Sequence, residues 1–380
     1  MKHANLRYRP HVESLEDRML PSTFLVTSFN DSGPGTLRAA IMSVNADPSL
    51  SLDTIDFKLP PTAPPTIKLA SALPVVTHQV LIDGTSQFGY MGNAIVELNG
   101  AAVPGAAGLV IRATGAVNPF VGAIKALKID NFAVGIRIAD AGSSTPASIT
   151  LFNNSIVTAP GGKGIVFLAG TNATTAQITI NTITTAGPGD GIDVLSAGTT
   201  DKLAFSGNTI HTSGGGAGIR AQGGATSTSL TFVGNQLFAT SLGDALVVQP
   251  STSSKTAVRV QGNILNTNSM GVGLVLQGGP MFQAVVQGND FHNNRVGVSV
   301  TGNGATAGNV DLGGGSLGST GGNNFKSFFV PTPTSYAVGL FSVASSYIMD
   351  AKMNLFNPPP PIADGTHDTK AGGSGSIITA

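Results

Sequence analysis

One asparagine recurs through the middle of this chain at an almost fixed interval, and that interval limits what the chain can fold into. Asn154, Asn181, Asn208, Asn235, Asn263 and Asn289 each precede an apolar residue by two positions, with successive spacings of 27, 27, 27, 28 and 26 residues. A repeat of this length marks stacked supersecondary units, each of which can bury its apolar face only against its neighbours. Every unit has the same grammar: an alternating strand, the Asn turn, a short apolar piece, a Gly-rich turn and a further strand. SLTFVGNQL followed by GDALVVQ is one instance, and KLAFSGNTI followed by AGIRAQ is another.

Strand side chains alternate between two faces, so counting from each Asn assigns the inner positions. Three residues before the Asn stand Leu151, Ile178, Phe205, Phe232, Val260 and Val286. Two residues after it stand Ile156, Ile183, Ile210, Leu237, Leu265 and Phe291. These are apolar columns, one residue per coil, which predict stacked parallel rungs about 4.8 Å apart. A leucine-rich repeat has a similar period and shares L-x-L-x-x-N-x-L, but its convex half is commonly helical, whereas here that half is Gly-punctuated and β-like. Propeller blades need about 40–50 residues per repeat and do not fit.

Composition narrows the function. Charged residues are 11% of the 380, Gly numbers 50, and the 20 basic and 20 acidic residues cancel, so no basic stripe exists to gather phosphates. Nucleic acid is not an expected partner. Cys is absent, which removes disulfides and thiolate metal sites. No apolar run is long enough for a spanning helix, and with no Trp and 6% aromatics an aromatic-girdled membrane barrel is unsupported.

The flanks complete the plan. In NDSGPGTLRAAIMSVN, turn residues precede Leu37, Ala40, Ile41 and Val44 at helical spacing, which predicts an amphipathic helix near 36–45 that covers the open end of the first coil. The four prolines at 358–361 cannot donate ladder hydrogen bonds and end the pairing, and the Gly/Ser-rich residues beyond His367 read as a frayed tail.

From about Phe24 onward the chain resembles the right-handed parallel β-helix, pectin-lyase-like superfamily. The helical block is similar to a GTLRxAIxxAN entry pattern, with Val44 where Ala is usual; VLIDGTSQFGYMGNAIVELNG (80–100) and AGLVIRATG (107–115) resemble early coils, and MDAKMNLFNPPPPIADGTHD (349–368) a closing segment. Residues 1–23 carry Lys2, Arg7, Arg9 and Arg18 but no apolar signal core, and physically read as a disordered arm. Within them RPHVESLEDRMLPS (9–22) resembles the LEDR-type N-terminal motif of exported planctomycete proteins, which implies an extracellular or cell-surface location. The expected organisation is therefore an export arm (1–23), an all-β right-handed parallel β-helix of about 27-residue coils with its helical cap (24–357), and a Pro-rich closing segment with a flexible tail (358–380).

Chemistry is harder to read. The resemblance implies a structural role for the Asn column, and physically Asn donates, accepts and stacks into ladders. Carbohydrate-cleaving members of the superfamily work on the outer face of one sheet with converging carboxylates and a basic residue. Here the acids between 124 and 300 are Asp130, Asp140, Asp190, Asp193, Asp201, Asp244 and Asp290, with no motif that sets three on one face. The outward column of the third strand reads Arg137, Val166, Asp193, Arg220 and Val247, so Asp193 and Arg220 are one rung apart, within ion-pair reach, and are the candidate catalytic or glycan-contacting residues. GPGDGIDVL (187–195) is a single copy of a calcium-nonapeptide-like run, and His211 and His292 have no partner at metal-ligand spacing, so neither metal nor cofactor is expected. The sequence favours a structural, adhesive or glycan-binding module, with extracellular polysaccharide or cell-surface components as partners. The alternative is a polysaccharide lyase or glycoside hydrolase.

Overall fold

A computed structural model describes residues 21–61, 64–113, 120–141, 146–224, 226–302, 309–326, 336–343, 345–357, 362 and 376–379. The N-terminal arm through residue 20 and the prolines at 358–361 lie outside the described residues.

Each coil climbs through three strands, and every strand pairs in parallel with its counterparts in the coils before and after it. The first sheet contains thirteen strands, from Thr23–Val26 to Ser376–Ile378. The second is a column of short strands that includes Thr182–Thr185, Thr209–Thr212, Gln236–Ala239, Ile264–Asn266 and Asp290–His292. The third includes Ile192–Ser196, Ile219–Gly223, Leu246–Pro250, Val272–Gly278 and Val296–Gly302. Two long strands, Leu127–Ala141 and Ser155–Ala169, run through the second and third sheets alike. The protein is an all-β parallel solenoid with coils of about 27 residues.

Alternation sends the expected columns inward. All twelve apolar positions counted from the Asn residues are at most 1% exposed. Because rungs stack in register, identical aromatics meet face to face: Phe205 and Phe232 lie 4.9 Å apart at 10°, and Phe325 stacks on Phe291 and Phe356 at 4.8 and 5.1 Å. Burial of each such ring contributes roughly 1.5–3 kcal/mol.

The helix spans Leu37–Ala46. Thr36 caps it, its hydroxyl accepting from the Ala39 N–H at 3.2 Å, and Leu37, Ala40, Ile41 and Val44 are buried. That face packs on Thr23–Val26 and Asp53–Phe57 at the first edge of the thirteen-stranded sheet. Arg38 fastens the helix to Asp31 at 2.6 Å and donates to the carbonyls of Ser71 and Ala72. At the far end Ser376–Ile378 pairs with 348–350 and buries Ile377, so these three residues of the C-terminal stretch form the last strand of the first sheet.

Candidate functional site

Two corners of the coil carry the polar side chains that matter. At the first, between the first and second sheets, the chain turns sharply through one residue in the left-handed region, followed by the ladder Asn. Gly207, Gly234, Gly262 and Gly288 hold that left-handed place with φ between 63° and 65°, where a glycine costs no steric strain. Ile180 holds it with φ 56° and its side chain half exposed, a position that a β-branched residue seldom occupies.

The Asn residues that follow are buried and use their full hydrogen-bonding capacity. Asn208 donates through Nδ2 to Asn235 Oδ1 at 2.9 Å and to the Ile178 carbonyl at 2.7 Å. Its Oδ1 accepts from both the backbone N and the Nδ2 of Asn181 at 3.0 Å. The same links join Asn154 to Asn181, Asn235 to Asn263, and Asn263 to Asn289. The ladder then continues to Asn323 and Asn354, at 2.9 Å per step. With two donors and two lone pairs all engaged, this amide column is a structural splice between coils.

The second corner and the adjoining third sheet hold the charges. The register places Asp193 beside Arg220, with Val166 and Val247 on the rungs on either side. Their side chains nevertheless partner elsewhere. Lys163 Nζ lies 2.5 Å from Asp193 Oδ2 and 3.8 Å from Asp190 Oδ2, while Arg220 Nε lies 3.2 Å from Asp190 Oδ2. Asp190 also accepts from the Ala217 N–H at 2.7 Å. Register fixes Cα positions, but long flexible stems reach diagonally, and that is why the expected Asp193–Arg220 ion pair gives way to a chain running from Asp193 through Lys163 and Asp190 to Arg220.

One rung further, Asp244 accepts from the Val272 N–H at 2.8 Å. Burial pushes its carboxyl above the usual aspartate range, opposed by that N–H and by the charges of Arg220 and Arg295. Asp190, Asp193 and Asp244 thus share one face with Lys163 and Arg220, a convergence that spacing did not reveal. Next to them Gln222, Gln249 and Gln277 form an outward amide ladder at 3.2 and 3.0 Å. Val247, outward in the same column as Asp193, is buried.

A smaller cluster lies on the second sheet near the N-terminal end. Lys128 Nζ sits 2.8 Å from Asp130 and 3.6 Å from Glu97. Burial raises the Asp130 carboxyl in spite of that ammonium. Asp290 meets Lys326 at 3.0 Å, and Asn266 Nδ2 donates to His292 Nε2 at 3.0 Å. The Asn268 N–H bonds to Asn266 Oδ1 and so turns the amide's Nδ2 toward His292 Nε2, which therefore accepts. His211 stacks on Phe238. Among the described residues no three His, Asp or Glu side chains gather as a metal cage, and no helix is long and apolar enough to cross a membrane.

Three parallel sheets wound around a continuous apolar core, spliced at one corner by a buried asparagine column, define a parallel β-helix. The family model for the right handed beta helix region matches residues 107–312, more than half of the chain, and the chain belongs to that family. A search of the curated proteins finds no match.

Proposed function

We propose that this β-helix is an exported or surface-displayed module whose outer faces hold extracellular material, polysaccharide among it, without turning it over. The observation that carries this reading is the mutual engagement of the charges on the third sheet: Lys163, Asp190, Asp193 and Arg220 are joined to one another and to a backbone N–H. Elimination from a uronate needs a neutralised carboxylate, an abstracted proton and a stabilised leaving oxygen, hence cationic groups free to meet substrate. The resemblance of residues 9–22 to an export motif supports the location.

A second reading, a polysaccharide lyase or glycoside hydrolase, is favoured by the gathering of Asp190, Asp193 and Asp244 beside two cations. One experiment separates them. The purified protein is incubated with neutral and uronate polysaccharides, scoring retention together with release of reducing ends and growth of ultraviolet absorbance from unsaturated uronide. Retention without cleavage is expected. Cleavage that Asp190→Ala or Asp193→Ala abolishes would establish the enzyme instead.

A further inference from the structure

Between the Lys128–Asp130 pair on the rung before Ser155 and the Asp290–Lys326 pair further along, the outer face of the second sheet runs through a stretch without charged side chains. Its outward positions, rung by rung, include Ser155, Thr182, Thr184, Thr209, His211 and Gln236. They bear hydroxyl, amide and imidazole groups, and no carboxylate, ammonium or guanidinium stands among them. Thr182, Thr184, His211 and Gln236 are exposed. On the rung after His211, Phe238 stacks on it with ring centres 4.7 Å apart at 12°.

At the head of this track stands a loop, residues 84–92, that holds apolar side chains out in water. Phe88 is 84% exposed and Met91 92%. The loop is pinned beneath them. The Gln87 side chain is buried and exchanges two hydrogen bonds with the Leu59 backbone, at 2.8 and 3.0 Å. Asn153 Nδ2 donates to the Tyr90 hydroxyl at 2.8 Å and to the Gly92 carbonyl at 2.7 Å. Asn153 immediately precedes the ladder Asn154, so the loop is tied to the rung on which Ser155 begins the track. A fixed loop has already met the ordering cost of binding.

The size of the tip decides what it fits. Two apolar side chains fall far short of the roughly 800 Å² per partner of a standard protein interface. They also carry too little apolar area for a stable bilayer anchor, which takes a whole helix face or more than one acyl chain. They match the face of a single ring. Continued by hydroxyls and amides at rungs about 4.8 Å apart, the surface complements a chain of rings that carry apolar C–H faces and many hydroxyls but no charge.

We infer that the 84–92 loop and the outer face of the second sheet from Ser155 to Phe238 form a binding track for a neutral glycan chain. The inference rests on the reading of the protein as a glycan-holding module and gives that module a place and a ligand class. The test is affinity electrophoresis of the full chain in gels containing hydroxyethylcellulose, galactomannan, polygalacturonate or alginate. The wild type is compared with Phe88→Ala, with Thr184→Glu on the track, and with Ser229→Glu on the exposed face of the first sheet.

A neutral polymer should retard the wild type and Ser229→Glu alike. Phe88→Ala should weaken the apparent affinity about fivefold, the loss of one stacking contact. Thr184→Glu should remove retardation while circular dichroism and thermal unfolding stay unchanged. Retardation by a neutral polymer that is indifferent to both track variants would overturn the location and leave the module reading standing. Retardation by the uronate polymers alone would overturn the ligand class. Retardation by none of the four would overturn the module reading itself.

Discussion

The two corners of the coil solve different problems with polar side chains. At the first, the same residue stands at rung after rung, fully buried, with each amide saturated by the coil before it and the coil after it. At the second, Lys163, Asp190, Ala217, Asp244 and Val272 follow one another, Lys163 and Asp244 half-buried and the other three buried, and their partners change from rung to rung. Repetition in register is what a buried hydrogen-bonded splice requires, because any gap orphans atoms on both sides. Variation is tolerated where long, partly exposed side chains such as Lys163 and Arg220 can reach partners on neighbouring rungs.

The contrast predicts a large penalty at the first corner. Asn235→Ala leaves the Asn208 backbone N, the Asn208 Nδ2 and the Phe205 carbonyl without the partners they now have. We expect a loss of about 3 kcal/mol in chemical denaturation, since each orphaned buried group costs roughly 1–3 kcal/mol. Asn354→Ala, at the partly buried end of the ladder, should cost about 1 kcal/mol, because water can take the place of a side chain that already lies near the surface. Equal losses at the two sites would mean that the ladder does not act as a chain.

The same corner offers a gain. Ile180 stands in the left-handed position that Gly occupies in the next four coils, and L-residues pay about 1–2 kcal/mol there. Ile180→Gly should therefore raise stability by about 1 kcal/mol, less the greater freedom of glycine in the unfolded chain. A fall in the unfolding midpoint would show that the exposed Ile180 side chain contributes more than its backbone costs.

How far the sequence discloses this depends on whether a feature obeys the period. Asn154 through Asn289 keep spacings of 26–28 and can be found by counting. Asn323 and Asn354 complete the same ladder but lie 34 and 31 residues further on, because those coils contain more residues while the amides still stack. The apolar columns are legible for the same reason the ladder is. The Lys163–Asp190–Arg220 links are not, since they join residues 27 and 30 apart through side chains that lean across columns. The loop at 84–92 interrupts the period, and only its exposure in the structure distinguishes Phe88 from a core residue.

At the second corner the expected effects are small. Arg220→Ala removes the Asp190 contact at 3.2 Å but leaves Asp190 with Lys163 and the Ala217 N–H. A loss below about 1 kcal/mol is expected, and it should shrink further in high salt. A loss comparable with that of Asn235→Ala would erase the distinction between the corners.

Asp244 makes the sharpest test because its effect should change with pH. Its carboxyl is raised by burial above the ordinary aspartate value of 3.8, against the pull of the Val272 N–H, Arg220 and Arg295. A raised folded-state value means that the folded protein holds this proton more tightly than the unfolded chain. Stability is then greatest below 3.8 and falls as pH rises through the folded value, where the buried group becomes charged. Asp244→Asn keeps an oxygen for the Val272 N–H and removes the charge. Variant and wild type should be equally stable at low pH, and the variant should become the more stable as pH rises past the carboxylate range. Denaturant titrations at acidic and neutral pH measure both ends. A variant less stable than wild type at neutral pH would show that Asp244 is held as a counter-charge for Arg220 and Arg295, so that the second corner is a cooperative ionic network of the kind the first corner builds from amides.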